Sequence, residues 1–102
     1  MAEECRVALR SLGEASINAD AYRGLLMRMG ETLYGERLRL MDLLARYRSD
    51  LRAGRLEVRD RNLCYGPRCV DLYRFVSTLA EYYRWMGERT KRIGDVLAFC
   101  GE

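Results

Sequence analysis

The C-terminal third of the chain has an apolar residue at nearly every third or fourth position. These positions, between Val70 and Cys100, are Leu72, Val76, Leu79, Tyr83, Met86, Ile93, Leu97 and Cys100. The opposite face carries the charged residues Arg74, Glu81, Arg84, Glu88, Arg92 and Asp95. This spacing predicts one amphipathic helix of about four heptads. Because helix propensity is weak and most helical stability comes from covering the apolar face, this helix needs a partner.

The first third of the chain predicts a short helix and then the entrance to a second one. Glu3 to Leu12 has amphipathic spacing, and Gly13 is a plausible stop. Asn18 is a good N-cap for the next helix, and Ile17 and Tyr22 are spaced as a hydrophobic staple around it. We therefore expect a helix that begins near Asn18.

The segment from Tyr22 to Leu51 has helical spacing throughout and carries two apolar stripes. One stripe consists of Tyr22, Leu26, Met29, Leu33, Leu40, Leu44, Tyr47 and Leu51, and the other of Met27, Tyr34, Leu38, Met41 and Ala45. Two stripes predict contacts with two neighbours. Glycine is unfavourable inside a helix, so Tyr34-Gly35 is a candidate break. Either one helix or two shorter helices, Asp20 to Leu33 and Glu36 to Leu51, would satisfy the pattern.

The connection between Gly54 and the last helix is short and contains turn residues. Leu56 and Val58 alternate as in a strand, but no obvious partner strand follows, and Tyr65-Gly66-Pro67 predicts a turn. The last helix is expected directly after it, with Asp71 in its first turn. The predicted fold class is therefore all-α, an antiparallel helical hairpin extended to a three- or four-helix bundle. Residues 1–102 are expected to form a single domain.

Composition is that of one small globular domain. The 102 residues are 49% hydrophobic and 32% charged, with one proline and no low-complexity run. No apolar run approaches the roughly 20 residues of a membrane span, and the first residues lack the layout of a secretion signal. We therefore expect a cytoplasmic, intracellular protein without a membrane partner.

The four cysteines allow three states. A four-thiol zinc site conflicts with the predicted hairpin, which places Cys64 and Cys69 far from Cys100. Disulfides between Cys64 and Cys69 and between Cys5 and Cys100 are two alternatives. Intracellular disulfides are rare outside hyperthermophiles, so the interpretation favoured by the sequence is reduced thiols, with Cys5 and Cys100 as small core residues.

The absence of histidine argues against catalysis. It removes the usual general base, the commonest metal ligand and the base of serine and cysteine nucleophiles. Glu36 falls on an apolar stripe, although a turn at Gly35 would expose it. There is also no glycine-rich phosphate loop. We expect no enzyme activity, no cofactor, no metal and no small-molecule ligand.

A nucleic-acid-associated small subunit is the alternative function. The whole net charge of +3 comes from the segment Arg52 to Arg68. Its candidate contacts are Arg52, Arg55, Arg59, Arg61, Tyr65 and Arg68, because arginines bind phosphates and an aromatic ring can stack on a base. Glu57 and Asp60 dilute this patch.

A third hypothesis comes from a family resemblance. Tyr22-Arg23-Gly24-Leu25-Leu26, then Met29-Gly30-Glu31 and Leu33, then Leu38, Met41 and Leu44 resemble the first two helices of a death effector domain. Cys69-Val70-Asp71-Leu72-Tyr73 is similar to the start of that family's fourth helix. The Arg-x-Asp-Leu motif near the family's C-terminus is missing here. The resemblance implies a homotypic signalling adaptor whose first two helices form a contact surface.

Large aromatic residues flank the seam of the last helix. Tyr82, Trp85 and Arg89 are spaced to lie side by side, and such residues are enriched where proteins meet. The alternative is that Trp85 covers the edge of the core. The residues predicted to form a protein interface are Met27, Tyr34, Leu38, Met41, Tyr82, Trp85 and Arg89. The predicted function is thus a non-enzymatic, self-associating interaction module, most simply a homodimer or part of a larger protein assembly.

Overall fold

The computed structural model describes residues 2–100, which form three helices and three short strands. The helices are α1 (Ala2–Tyr34), α2 (Leu40–Ala53) and α3 (Leu72–Cys100), and the strands are β1 (Glu57–Arg59), β2 (Asn62–Tyr65) and β3 (Arg68–Asp71). The chain divides into two compact units. The terminal unit comprises the described residues of 1–22 and 80–102, and the central unit comprises Arg23–Leu79.

The predicted all-α fold class is wrong, because the connection between α2 and α3 folds as a small sheet. The sheet has the order β1-β2-β3, and both strand pairs are antiparallel. Leu63 pairs with Val70 and Cys64 with Cys69, and three of these four side chains are buried, Cys69 being half-buried. Strands of three or four residues are too short to show an alternating pattern. The sequence therefore did not reveal β2, the strand whose Leu63 pairs with Val58.

Two tight turns allow the sheet to form within fifteen residues. Asp60, between β1 and β2, has a φ of 57°, and Gly66, between β2 and β3, has a φ of 60°. Aspartate and glycine are among the residues that tolerate this left-handed region. The turn predicted at Tyr65-Gly66-Pro67 is therefore present, but it joins two strands instead of preceding a helix.

The predicted division of the N-terminal segment is wrong, because α1 continues without interruption to Tyr34. Gly13 does not stop it, and Asn18 does not cap a new helix. The Asn18 side-chain amide instead donates a hydrogen bond of 2.9 Å to the Glu14 carbonyl one turn earlier. Ile17 and Tyr22 lie inside the helix, so they form no staple. The buried stripe of this part of α1 consists of the small residues Ala8, Ala15 and Ala19. Their tertiary packing overrides the local stop and cap signals, so the helix continues.

The predicted break at Gly35 is correct, and a single helix over 22–51 is excluded. Gly35 has a φ of 74°, and its N–H donates to the Glu31 carbonyl at 2.8 Å, which ends α1. The second helix begins at Leu40, four residues later than predicted. Gly54 ends α2 as expected, with a φ of 71° and its N–H directed to the Asp50 and Leu51 carbonyls.

The core of the central unit lies among α1, α2, the sheet and the start of α3. Phe75, Leu26, Leu33 and Leu43 are fully buried in it. The rings of Tyr47 and Phe75 have centroids 5.1 Å apart. The sheet contributes the buried residues Leu63, Cys64 and Val70 to this core.

Helix α3 begins one residue after Asp71, which caps it. The Asp71 carboxylate accepts a 2.8 Å hydrogen bond from the Arg74 backbone N–H, and thereby satisfies a donor that the helix leaves unpaired. The predicted start of this helix, directly after Pro67, was therefore too early. Leu72 also donates its N–H to the Arg61 carbonyl, which connects the start of α3 to the β1–β2 turn.

All four cysteines form disulfides, so the predicted reduced thiols are wrong and both alternative pairings are present. Cys64 and Cys69 join β2 to β3, with Cα atoms 4.1 Å apart. Cys5 and Cys100 join the start of α1 to the end of α3, with Cα atoms 5.7 Å apart. Within the terminal unit the two helices thus run antiparallel. Among residues 2–100, no helix combines the length and apolar character needed to cross a membrane.

Candidate interaction surface

The outward face of α3 in the terminal unit is a continuous uncharged strip. We call it the outer seam, and it consists of Ala80, Tyr83, Gly87, Thr90, Gly94 and Leu97. All six residues are exposed, Leu97 by 63% and Tyr83 by 49%. In the described part of the chain, no side chain lies within 4 Å of where a Cβ on Gly87 or Gly94 would be. The seam is therefore open along its length.

The side of α3 that packs inside the terminal unit is the opposite one. Its half-buried residues, Tyr82, Trp85, Arg89, Arg92 and Val96, each follow a member of the outer seam by two positions. Two positions along an α-helix correspond to about 200° of rotation, so these residues lie on the far side from the seam. The heptad pattern that predicted a covered face is thus largely on the uncovered side.

The two edges of the outer seam differ in character. One edge carries the charged residues Glu81, Arg84, Glu88, Lys91 and Asp95, each one position after a seam residue. Arg84 and Glu81 form an ion pair of 3.2 Å on this edge. The other edge carries Met86, which is half-buried, and Ile93, which is 43% exposed. The apolar surface therefore extends beyond the seam towards Met86 and Ile93.

The terminal unit has small residues inside and large apolar residues outside. Its buried hydrophobic residues, among those described, are Ala8, Ala15 and Ala19, all on α1. Its exposed large apolar residues are Val7, Leu9, Ile17, Tyr83, Ile93, Leu97 and Phe99. A folded domain normally has the opposite arrangement, and a large exposed apolar surface on a small protein is typical of an interaction site.

The predicted interface residues of the central unit do not form one exposed surface. Met41 is 71% exposed, whereas Met27 and Leu38 are half-buried. Tyr34 is buried, and its ring contacts that of Tyr65 edge to face at 5.1 Å. Tyr34 therefore serves the core of its own unit and is not free to meet another protein.

The predicted aromatic group on α3 lies on the inward side. Tyr82, Trp85 and Arg89 are all half-buried, and the Arg84 guanidinium lies 4.9 Å from the centre of the Trp85 ring. The residues that sequence reasoning missed are the small members of the outer seam. Their signal was present in the spacing of Ala80, Gly87 and Gly94, which recur every seven residues.

A buried polar cluster lies where α1, α2 and β2 meet. Asp50 is 5% exposed, and its carboxylate accepts a 3.1 Å hydrogen bond from Arg55 and lies 3.7 Å from Arg46. The Arg46 guanidinium also lies 4.2 Å from the centre of the Tyr34 ring. Burial raises the pKa of Tyr34, and the Asp50 carboxylate raises that pKa further, whereas Arg46 lowers it. The Asp50 carboxylate and the two guanidinium groups thus compensate one another's charge.

The candidate nucleic-acid residues are spread over several environments. Arg55 is paired with Asp50, and Arg59 is paired with Glu57 at 3.2 Å and also donates to the Gly66 carbonyl. The Arg68 guanidinium lies against Gly35, and Tyr65 is half-buried. Arg61 adjoins Leu72 and Tyr73. Arg52 adjoins Arg48 on α2. Two of the five arginines are thus neutralised by carboxylates of the same chain.

Comparisons of this chain with protein-family models, curated proteins and solved structures find no match.

Proposed function

We propose that this protein is a non-enzymatic assembly module that self-associates through the outer seam of α3. The observation that carries this proposal is the exposure of an uncharged strip on the side of α3 opposite its packed side. The apolar seam predicted from sequence overlaps this strip at Tyr83 and Leu97. A helix with two apolar sides and one neighbour in its own unit has a side left for another chain.

The expected strength of association follows from the exposed area. Burial of a large apolar side chain contributes about 1.5–3 kcal/mol, so completing the burial of a half-exposed one contributes roughly 1 kcal/mol. Tyr83, Ile93 and Leu97 are each about half-exposed, and a symmetric dimer covers them twice. Association costs at least about 4 kcal/mol in lost freedom of motion. These three side chains therefore leave at most about 2 kcal/mol for association, so we expect a weak dimer that forms only at high protein concentration.

Light scattering after gel filtration tests the proposal. The wild-type protein should show a mass that rises from monomer to dimer with concentration. Leu97→Asp places a charge at the C-terminal end of the outer seam, and the desolvation of that charge should shift the protein to monomer. Leu51→Asp is the matched control, since Leu51 on α2 is 53% exposed and lies outside the seam.

Three outcomes would contradict the proposal. The first is a wild-type protein that stays monomeric at the highest attainable concentration. The second is a dimer that Leu97→Asp leaves intact, and the third is a dimer that Leu51→Asp disrupts equally. Circular dichroism of both variants shows whether they keep the helical fold, which they should because both positions are exposed.

Nucleic-acid association remains the alternative prediction and has weaker support from the geometry. Arg55 and Arg59 are paired with carboxylates, and an ion pair reduces the local positive potential. Salt-dependent gel retardation of nucleic acid by the wild type, lost on replacing Arg55, Arg59 and Arg61 with alanine, would favour this alternative. The death-effector-like adaptor and the cytoplasmic location also remain predictions.

A further inference from the structure

The two disulfides lie in different surroundings. The long-range bridge joins Cys5 to Cys100, of which Cys100 is exposed and Cys5 is half-buried. The bridge within the sheet joins the fully buried Cys64 to the half-buried Cys69. Thiol–disulfide exchange requires a thiolate to reach one of the two sulfur atoms, so access controls its rate. A reductant in solution should therefore react with the long-range bridge first.

A hollow of about 280 Å³ lies close to the long-range bridge on the terminal unit. Glu4 and Phe99, which immediately precede the two bridged cysteines in the chain, both line it. The hollow therefore gives a small dithiol room near the bridge. Three carboxylates and one guanidinium also line it, from Glu3, Glu4, Asp95 and Arg92. This net negative charge repels a thiolate, so salt should accelerate the exchange.

The terminal unit has little buried apolar surface with which to replace the bridge. Its buried hydrophobic residues, among those described, are all alanines, whereas the central unit buries Leu26, Leu33 and Phe75 completely. An alanine removes far less apolar area from water than a leucine or a phenylalanine, and so stabilises less. Apart from the bridge, the two helical segments of the terminal unit are connected only through the central unit. Reduction would therefore release a long closed loop from the unit with the smaller core.

We propose that the long-range bridge is a redox-sensitive switch, which a dithiol reductant opens before the bridge within the sheet. Opening loosens the terminal unit, while the central unit keeps its fold and its own bridge. The helices of the terminal unit depend on mutual packing because an isolated helix of this length is marginal in water. This inference is independent of the proposed self-association.

The reaction is a two-electron exchange between the dithiol and the bridge. One thiolate of the reductant attacks the exposed Cys100 sulfur, the S–S bond breaks, and Cys5 leaves as a thiolate that takes up a proton. The second thiolate of the reductant then attacks its own sulfur in the mixed disulfide. Cys100 leaves as a thiolate and also takes up a proton. The dithiol is oxidised to a disulfide, and the bridge is reduced to two thiols.

Trp85 reports directly on the proposed opening. It is the only tryptophan of the chain, and it is half-buried on the side of α3 that packs inside the terminal unit. Loosening of this unit should bring its indole into contact with water and shift its fluorescence emission to longer wavelength. The fluorescence of Trp85 therefore follows the terminal unit separately from the central one.

Limited reduction of the native protein with dithiothreitol tests the proposal. Samples are alkylated at intervals, and mass spectrometry of the peptides identifies the cysteines that have reacted. Cys5 and Cys100 should react at least about tenfold faster than Cys64 and Cys69, because a buried sulfur reacts only after a local opening. The emission of Trp85 should shift in step with the alkylation of Cys5 and Cys100. Amide hydrogen exchange should accelerate in the terminal unit and stay slow in the core of the central unit.

Two controls separate the effect of the fold from that of the thiols. In urea both bridges should open at comparable rates, since the fold that covers Cys64 is lost. The Cys5→Ala and Cys100→Ala double variant should show the shifted emission before reductant is added and should not shift further.

Four outcomes would overturn the proposal. The first is free Cys5 and Cys100 thiols in protein purified without reductant, and the second is opening of the bridge within the sheet at the same time or earlier. The third is reduction of the long-range bridge with unchanged Trp85 emission and amide exchange. The fourth is accelerated exchange spread equally over both units. None of these outcomes depends on whether the protein forms a dimer, so the proposed self-association is tested separately.

Discussion

At the residue scale, Gly30 lies at a close contact between α1 and α2 in the central unit. A Cβ at this position would lie 2.6 Å from both terminal methyl groups of Leu43 and 3.1 Å from its Cγ. Leu43 is fully buried, so it has no free space into which to move. Gly30 therefore permits the close approach of α2 to α1. This packing outweighs the low helix propensity of glycine at this position.

Gly30→Ala should destabilise the protein although alanine is the better helix former. Overpacking costs about 1–3 kcal/mol, which exceeds or offsets a propensity gain of up to about 1 kcal/mol. Gly24→Ala in the same helix is the control, because nothing lies within 4 Å of its Cβ position, and it should stabilise by a few tenths to about 1 kcal/mol. Urea unfolding measures both changes, and equal effects of the two variants would contradict the packing argument.

Tyr34 gives the central unit a specific response to alkaline pH. Burial and Asp50 raise the pKa of Tyr34 above the 10.0 of an unperturbed tyrosine. In the unfolded chain the hydroxyl loses its proton near pH 10 while the folded protein retains it, so folding stability falls as pH rises above 10. The limiting slope is about 1.4 kcal/mol per pH unit for one such group.

Tyr34→Phe should therefore flatten the loss of stability between pH 10 and 12. Burial also raises the pKa of Tyr47, so part of the slope should remain. Tyr73→Phe serves as the control, since Tyr73 is 82% exposed and should leave the slope unchanged. Urea unfolding midpoints at a series of pH values provide the measurement, and the same slope in wild type and Tyr34→Phe would refute the prediction.

At the element scale, the strongly periodic α3 could be predicted from sequence, whereas the sheet could not. A helix of 29 residues repeats its pattern many times, but β2 and β3 have four residues each and show it hardly at all. The long α1 was missed for another reason. Gly13 and Asn18 are local stop and cap signals, and the burial of Ala8, Ala15 and Ala19 overrides them.

Asp71 stabilises the start of α3, so its replacement should measurably lower the free energy of unfolding. Asp71→Ala loses the hydrogen bond to the Arg74 N–H and should cost about 0.5–2 kcal/mol in the free energy of unfolding. Asp71→Ser keeps a capping oxygen and should restore most of that loss. Chemical unfolding of the three proteins decides the matter. Equal stability of the alanine and serine variants would show that the cap contributes nothing.

The candidate site could be predicted only in part. The periodicity of α3 identified Tyr83 and Leu97 as apolar seam residues, but it could not tell which side of the helix would be covered. That choice depends on the aromatic side at Tyr82 and Trp85 packing within the terminal unit, which periodicity does not encode. The seven-residue spacing of Ala80, Gly87 and Gly94 is visible in the sequence, but glycine carries no hydrophobic signal, so the spacing alone did not show that these residues lie on an exposed strip.

At the scale of the whole molecule, two disulfides close loops of very different length. Cys64 and Cys69 are separated by 5 residues, and Cys5 and Cys100 by 95. The entropy lost by the unfolded chain grows with loop length. The long-range bridge should therefore contribute more to stability than the bridge within the sheet.

Replacing each pair with alanine tests this difference. The Cys5→Ala and Cys100→Ala double variant should lose about 4–5 kcal/mol, and the Cys64→Ala and Cys69→Ala double variant roughly 2 kcal/mol from loop closure. Guanidinium unfolding under non-reducing conditions gives both values. A terminal-unit variant as stable as wild type would mean that Cys5 and Cys100 are not bridged in solution.

The bridge between Cys5 and Cys100 makes the intervening backbone a closed covalent ring. A single peptide-bond cleavage at an exposed site outside the Cys64–Cys69 loop, such as Gly54-Arg55, would open that ring without producing two separable fragments. The molecule therefore tolerates one nick between Cys5 and Cys100 without dissociating.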